Sequence, residues 1–182
     1  MTPNEYQALA ARTLIDKPDF EISQDNLSLI WHAIRQASLT GEIADYLKKG
    51  IFHQHGFRHA DLLKMLQTAD THLLAFGAIK YAIPTSDFRT MLFWNVIGLI
   101  GESGEIATLL TEHGNDHDLD REKLIKELGD CIWYLTALCT KLGVDLEDVM
   151  ALNIDKLKAR YPDGYSSEAS KKRVDVENDL LT

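Results

Sequence analysis

The chain has 182 residues, one domain or two small ones, and its 45% hydrophobic and 26% charged side chains are an ordinary globular balance. A formal net charge of −9 argues against a broad DNA- or RNA-binding surface, because neutralising phosphates needs clustered Lys and Arg. That charge leaves room for a small phosphorylated substrate bridged to the protein by metal. No apolar run approaches the roughly 20 residues needed to span a bilayer, and MTPNEYQALAARTL is amphipathic and charged too early for a signal peptide.

Helical periodicity runs through nearly the whole sequence and predicts helices near 4–15, 26–48, 58–82, 87–112, 120–142 and 145–160. Plausible breaks fall at Pro18, Gly50, Gly56, Pro84, Gly114, Gly143 and Pro162. Asp120 is a natural N-cap for the fifth helix and Gly143 a natural stop after it. Asp145 can cap the sixth, which must end before Pro162. From residue 167 onward the chain is polar and weakly periodic, a frayed or docked tail. No strand-like alternation competes, so the predicted class is all-α, a helical bundle. Cys131 and Cys139 stand eight residues apart on one predicted helix, too far to bridge. Two free thiols suit a reducing cytoplasm.

The fourth and fifth helices carry the chemistry. Glu102 and Glu105 lie in GLIGESGEIA, and Glu127 and Asp130 in KELGDCIWYL. Each pair is spaced i, i+3, which puts both carboxylates on one helical face. Leu99, Ile106, Leu109 and Leu110 form the apolar stripe of the first helix, with Glu102 on its shoulder. Leu124, Leu128, Cys131, Leu135, Leu138 and Leu142 form the stripe of the second, expected to face the core. Four carboxylates beside such surface repel one another and resist desolvation. A divalent cation removes both problems, and oxygen-only ligands point to Mg²⁺ or Mn²⁺ rather than zinc.

A faint internal repeat precedes this region. TGEIADYL, 63 positions before SGEIATLL, aligns Gly41-Glu42-Ile43-Ala44 with Gly104-Glu105-Ile106-Ala107. Carried forward, the alignment sets Gln67 and Asp70 opposite Glu127 and Asp130, and Leu39 opposite Glu102. The first copy keeps two acids, Glu42 and Asp70, and a basic pair, Lys48 and Lys49. The division this implies is a degenerate helical unit over 1–84, a unit with the acidic site over 85–166, and a polar tail over 167–182. His53, His55 and His59 invite a zinc reading, but Gly56 breaks any helix there and no cysteine joins them. A loop approaching substrate fits them better. Near the acidic motifs, Trp133 reads as core and Trp94 as a candidate wall for a nucleobase. Tyr161 and Tyr165 either stack on a base or pack the chain end, and packing is the preferred reading.

GLIGESGEIA, KELGDCIWYL and NIDKLKARYPDGY together resemble the MazG-like α-helical nucleoside triphosphate pyrophosphohydrolases, from about Asn95 to Tyr165. That superfamily includes the dimeric all-α dUTPases and the phosphoribosyl-ATP pyrophosphohydrolases, and its hallmark is E-x-x-E followed by E-x-x-D around Mg²⁺. NEYQALAART, from Asn4 to Thr13, is similar to the opening segment of phage-type members. The resemblance implies hydrolysis of a nucleoside triphosphate to monophosphate and pyrophosphate, by water attacking the α-phosphorus. It makes Glu102, Glu105, Glu127 and Asp130 the metal ligands, with one glutamate, such as Glu105, free to orient the water. Asn153 and Lys156 would reach phosphate oxygens, and Arg160 would do the same or tie the last helix to the acidic site. Their other reading is a charged solvent face. Gly101-Glu102 stands where many members have paired glutamates. The lysines common after the first motif are missing after Glu105 and present after Glu42, so Lys48 and Lys49 are either nucleotide contacts from copy one or solvated leftovers. A fused tandem would favour a homodimer. The alternative to an enzyme is a non-catalytic nucleotide or metal sensor of the same fold. No short motif encodes the base.

Overall fold

In the computed structural model the described residues are 1–14, 21–51, 53–75, 86–112 and 119–172. They hold seven α-helices, one 3₁₀ turn and no strand. The helices are α1 (Pro3–Ala10), α2 (Gln24–Ile51), α3 (His59–Leu74), α4 (Asp87–Glu112), α5 (Arg121–Leu142), α6 (Leu146–Arg160) and α7 (Ser167–Lys172). None of them is long and apolar enough to cross a membrane. The chain gathers into two compact units, each discontinuous in sequence: Met1–Ile34 with Gly77–Leu146, and Arg35–Phe76 with Glu147–Thr182.

The first unit is organised by local signals that the sequence shows plainly. Thr2 and Glu5 form a reciprocal capping box, with Pro3 in the first turn, so α1 begins where its orphan amides find acceptors. It tightens into a 3₁₀ turn over Ala11–Thr13, short of the expected helix end. Ser86 accepts from the Arg89 amide at the start of α4, whose bounds agree with the periodicity. Asp120 accepts from the Lys123 amide at 2.9 Å, and Gly143 closes α5 in the left-handed conformation at φ 69°. Glycine enters that region without the Cβ clash that disfavours it for other residues. Around this frame Leu27 and His32 of α2, Met91, Asn95 and Leu109 of α4, and Thr136, Ala137 and Cys139 of α5 are buried. Full burial of Met91 contributes about 1.5–3 kcal/mol.

The leucine stripe of α5 is not where its spacing put it. Leu128, Leu135 and Leu142 are 47%, 47% and 57% exposed, and Ile125 and Ile132 join them on that side. The face turned to α4 carries Glu127 and Tyr134 together with Cys131 of the expected stripe: Cys131 Sγ lies 3.9 Å from Ser103 Oγ, and Tyr134 lies against Gly98, while Leu124 and Leu138 are half-buried. The reason is steric. The α4 surface offers a glycine and polar side chains at that level, which admit an aromatic ring and carboxylates more closely than a row of leucines. On α4, Leu109 is buried as expected, whereas Leu110 is 56% exposed. Trp133 is only half-buried, its indole N–H donating to Thr13 Oγ1 at 3.0 Å.

The second unit contains the C-terminal part of α2, with α3, α6 and α7. Among its described residues Leu39, Ala69 and Ser170 are buried. Gly50 does not break α2, which runs on to Ile51 with the Phe57 ring packed over the bare Gly50 backbone. Arg58 grips Asp61 through two bonds of 2.8 and 2.9 Å, and Tyr46 hydroxyl accepts from the Arg58 amide. The expected tail begins with a short helix, α7, capped by Ser166. Ser170 in that helix lies within hydrogen-bond distance of His53 Nδ1 (3.0 Å) and His55 Nε2 (3.2 Å), so these two histidines hold α7. His59 stacks on Phe57. The predicted end of the third helix at 82, and the breaks at Pro18, Pro84 and Gly114, lie outside the described residues.

Candidate metal centre

Two adjacent helices bring three acids together. Ligand oxygens of Glu102 on α4 and of Glu127 and Asp130 on α5 all lie within 4.8 Å of one another. Glu127 is buried, Glu102 half-buried and Asp130 exposed, so the cluster opens to solvent on one side. Burial, then the charges of Asp130, Glu105 and Glu127, and a hydrogen bond with Glu127 push the Glu102 carboxyl above its ordinary range. The trio is therefore an anionic site that resists full ionisation without a counter-charge.

A hard divalent cation fits this donor set. Mg²⁺ binds oxygens at about 2.0–2.1 Å in octahedral geometry, so three carboxylates whose ligand oxygens lie within 4.8 Å of one another are near enough to close around one such ion. Donors of oxygen alone suit Mg²⁺ or Mn²⁺. Glu105 is not in the trio. It is exposed and acts on Glu102 through charge from one turn further along α4.

The remaining candidates are distributed between the units. Trp94, 37% exposed, is in the first. It lines a cavity of about 430 Å³ with Asn26, Ile30, Thr90, Phe93 and Ile97. Asn153, Lys156 and Arg160 are on α6 in the second unit, the first two exposed and Arg160 half-buried over the Tyr161 ring. Lys48 and Lys49, in the last turn of α2, both bind Asp45. Their hydrogen bonds hold the Asp45 carboxyl down at about 2.

One residue at this site escaped the spacing argument. Tyr134, one turn beyond Asp130, seats its ring against Gly98, one turn before Glu102, and burial, then the charges of Glu102 and Asp130, raise its phenol. The signal was present in sequence as a small residue, Gly98, one turn before Glu102, but no periodicity rule pairs the two.

An all-α hairpin that sets an E-x-x-E helix against an E-x-x-D helix around a carboxylate centre defines the class. The MazG nucleotide pyrophosphohydrolase domain matches residues 95–165, the stretch that contains the trio. The chain is 37% identical over 78 residues to the gene 37 protein of Mycobacterium phage L5, covering 40% of this chain and 68% of that one. It is 31% identical over 94 residues to mouse dCTP pyrophosphatase 1, covering 48% of this chain and 55% of the mouse protein, little more than half of it. No solved structure matches. The chain belongs to the MazG nucleotide pyrophosphohydrolase family.

Proposed function

We propose that this protein hydrolyses a nucleoside triphosphate to the monophosphate and pyrophosphate, with Glu102, Glu127 and Asp130 holding Mg²⁺. The observation that carries the reading is the convergence of those three carboxylates from two helices inside the family-matched stretch. A bound divalent cation would supply charge neutralisation on the phosphates, the main demand of phosphoryl chemistry. The chain supplies the rest. Water attacks the α-phosphorus, the bond from that phosphorus to the bridging oxygen breaks, and pyrophosphate leaves. We assign Glu105, exposed and outside the trio, to orient the water and accept its proton. Trp94, in a mostly apolar cavity, is assigned to the base. The family resemblance assigns Asn153, Lys156 and Arg160 to the phosphates. Since Lys48 and Lys49 already share Asp45, their assignment to substrate rests on the resemblance alone.

The substrate class includes dCTP, which the name of the mouse relative supports. The internal repeat alone supports residues 1–84 and 85–166 as related helical units. A homodimer is the assembly we assign, since a second copy would cover apolar side chains such as Leu128, Ile132 and Leu135.

The deciding experiment is pyrophosphate release across common and oxidised nucleoside triphosphates, with Mg²⁺ and with EDTA, for the native chain and Glu127→Gln. Metal-dependent release that the variant loses by more than about a hundredfold is expected, because even outer-shell partners of metal ligands cost 10- to 100-fold. Tight binding of triphosphates with no turnover of any would favour a sensor, and undiminished turnover by Glu127→Gln would remove the site.

A further inference from the structure

The helices α4 and α5 meet most closely one turn away from the acids. A methyl group on Gly98 would overlap Cε1 and Cζ of the Tyr134 ring, so the ring rests directly on the Gly98 backbone. Gly98 precedes Glu102 by four residues, and Tyr134 follows Asp130 by four. In an antiparallel pair this makes Gly98–Tyr134 and Glu102–Asp130 consecutive rungs of one ladder, about 6 Å apart along the axis. Ser103 Oγ, 3.9 Å from Cys131 Sγ, is a further contact between the two helices close to the Glu102–Asp130 rung. The Trp133 ring stands edge-on to the Tyr134 ring with centroids 4.9 Å apart, and Thr13 holds the Trp133 indole. The tyrosine ring is thus braced on one side and seated on bare backbone on the other.

We propose that Tyr134 is a positioning residue: its ring, fitted to Gly98, sets the spacing and register of α4 against α5 and so holds Glu102 opposite Glu127 and Asp130. The physical argument is one of lever and tolerance. The three oxygens share a space of 4.8 Å, and cations of this class accept little error in ligand position. A helix shifted by a methyl's width one turn away moves Glu102 by a comparable distance. Carboxylates that repel one another would otherwise push the helices apart at this level. A flat ring on a glycine gives the closest approach that still fills the gap.

This inference rests on the proposed metal site, and its test separates the two. Mn²⁺ affinity by calorimetry, kcat and KM for pyrophosphate release, and helical CD are measured for the native chain, Gly98→Ala, Tyr134→Phe, Tyr134→Leu and the double variant Gly98→Ala with Tyr134→Leu. Gly98→Ala should keep the helical spectrum while Mn²⁺ binding and kcat fall about tenfold or more, with KM changing less. Tyr134→Phe, which keeps the ring, should bind Mn²⁺ like the native chain. The double variant should recover part of the loss by relieving the overlap. A folded Gly98→Ala protein with native Mn²⁺ affinity would overturn the proposal, as would Tyr134→Phe failing as badly as Tyr134→Leu.

A second readout needs no metal. In a Ser103→Cys background, diamide should form a disulfide with Cys131 readily. Adding Gly98→Ala should slow it, and adding Tyr134→Leu to both should restore it. Cross-linking at one unchanged rate in all three overturns the register claim. Absence of Mn²⁺ binding by the native chain removes the metal-site reading instead, and the cross-linking series then decides the register by itself.

Discussion

The side chain of Gln7 is a clasp for Leu146. Its Oε1 accepts from the Leu146 amide at 2.6 Å, the first N–H of α6, which has no partner within its own helix. Its Nε2 donates to the Val144 carbonyl at 2.9 Å and to Thr140 Oγ1 at 3.3 Å. One amide near the start of the chain thus satisfies both sides of the turn between α5 and α6. Gln7→Leu removes three bonds and leaves polar backbone unmatched, so it should cost about 1–2 kcal/mol. Urea melts of the two proteins, read by CD, check this through the midpoint, with the slope unchanged.

Glu102→Gln should separate stability from activity. The carboxyl is held above its usual range by burial first and then by the neighbouring acids, so ionising it costs the metal-free fold at neutral pH. The neutral amide should raise the melting temperature in EDTA. It should also reduce the rise that Mg²⁺ gives the native chain through mass action. Thermal melts with EDTA and with excess Mg²⁺ give both numbers, and a drop in EDTA would contradict the account.

Asp45 provides the pH-dependent contrast. Hydrogen bonds from Lys48 and Lys49 depress its pKa to about 2, from 3.8. A depressed folded-state pKa means stability is fully present above the ordinary value and is lost as pH falls through about 2. Both partners are substantially exposed, so screening limits the effect to a few tenths of a kcal/mol. Asp45→Asn should lower stability slightly at pH 7 in low salt and by less in 1 M salt. Carboxyl-carbon NMR titration of Asp45 should place its midpoint well below that of an ordinary aspartate.

Trp94→Ala tests the base assignment. Stacking of a base on an aromatic ring is worth about 1–3 kcal/mol, so KM should rise roughly 5- to 150-fold with a smaller change in kcat. Equal losses across nucleotides with different bases would fit a stacking wall, and an unchanged KM would take Trp94 out of the site.

Lys156→Ala tests the phosphate assignment carried by the resemblance. A lost charge-assisted bond to phosphate is worth about 1.5–3 kcal/mol, so KM for the triphosphate should rise by at least about tenfold. Steady-state kinetics at fixed free Mg²⁺ reads it.

Helix ends were legible wherever they depend on neighbours in sequence. Asp120 and Gly143 bound α5 as their chemistry requires, and α4 starts at Asp87 as its periodicity predicts. The acids were legible too, because i, i+3 spacing on two successive helices is a local pattern. Other features were not. The α5 leucines at 128, 135 and 142 follow a helical stripe as faithfully as any core, yet they stand exposed. Glu105 has the same spacing credentials as Glu102, yet it stays outside the trio. Spacing fixes the angle of a side chain about its own helix axis and says nothing of how that axis is rotated against a neighbour.

What the linear chain determined by itself is the all-α class, the termini of α4 and α5 and the i, i+3 spacing of the two acidic pairs, since each follows from chemistry within one or two turns. Tertiary structure alone decided which three of the four acids converge, that Tyr134 seats on Gly98, and that Gln7 closes the turn 139 residues away. Those outcomes depend on the rotation and separation of packed helices, which are set by the sum of many contacts between surfaces distant in sequence.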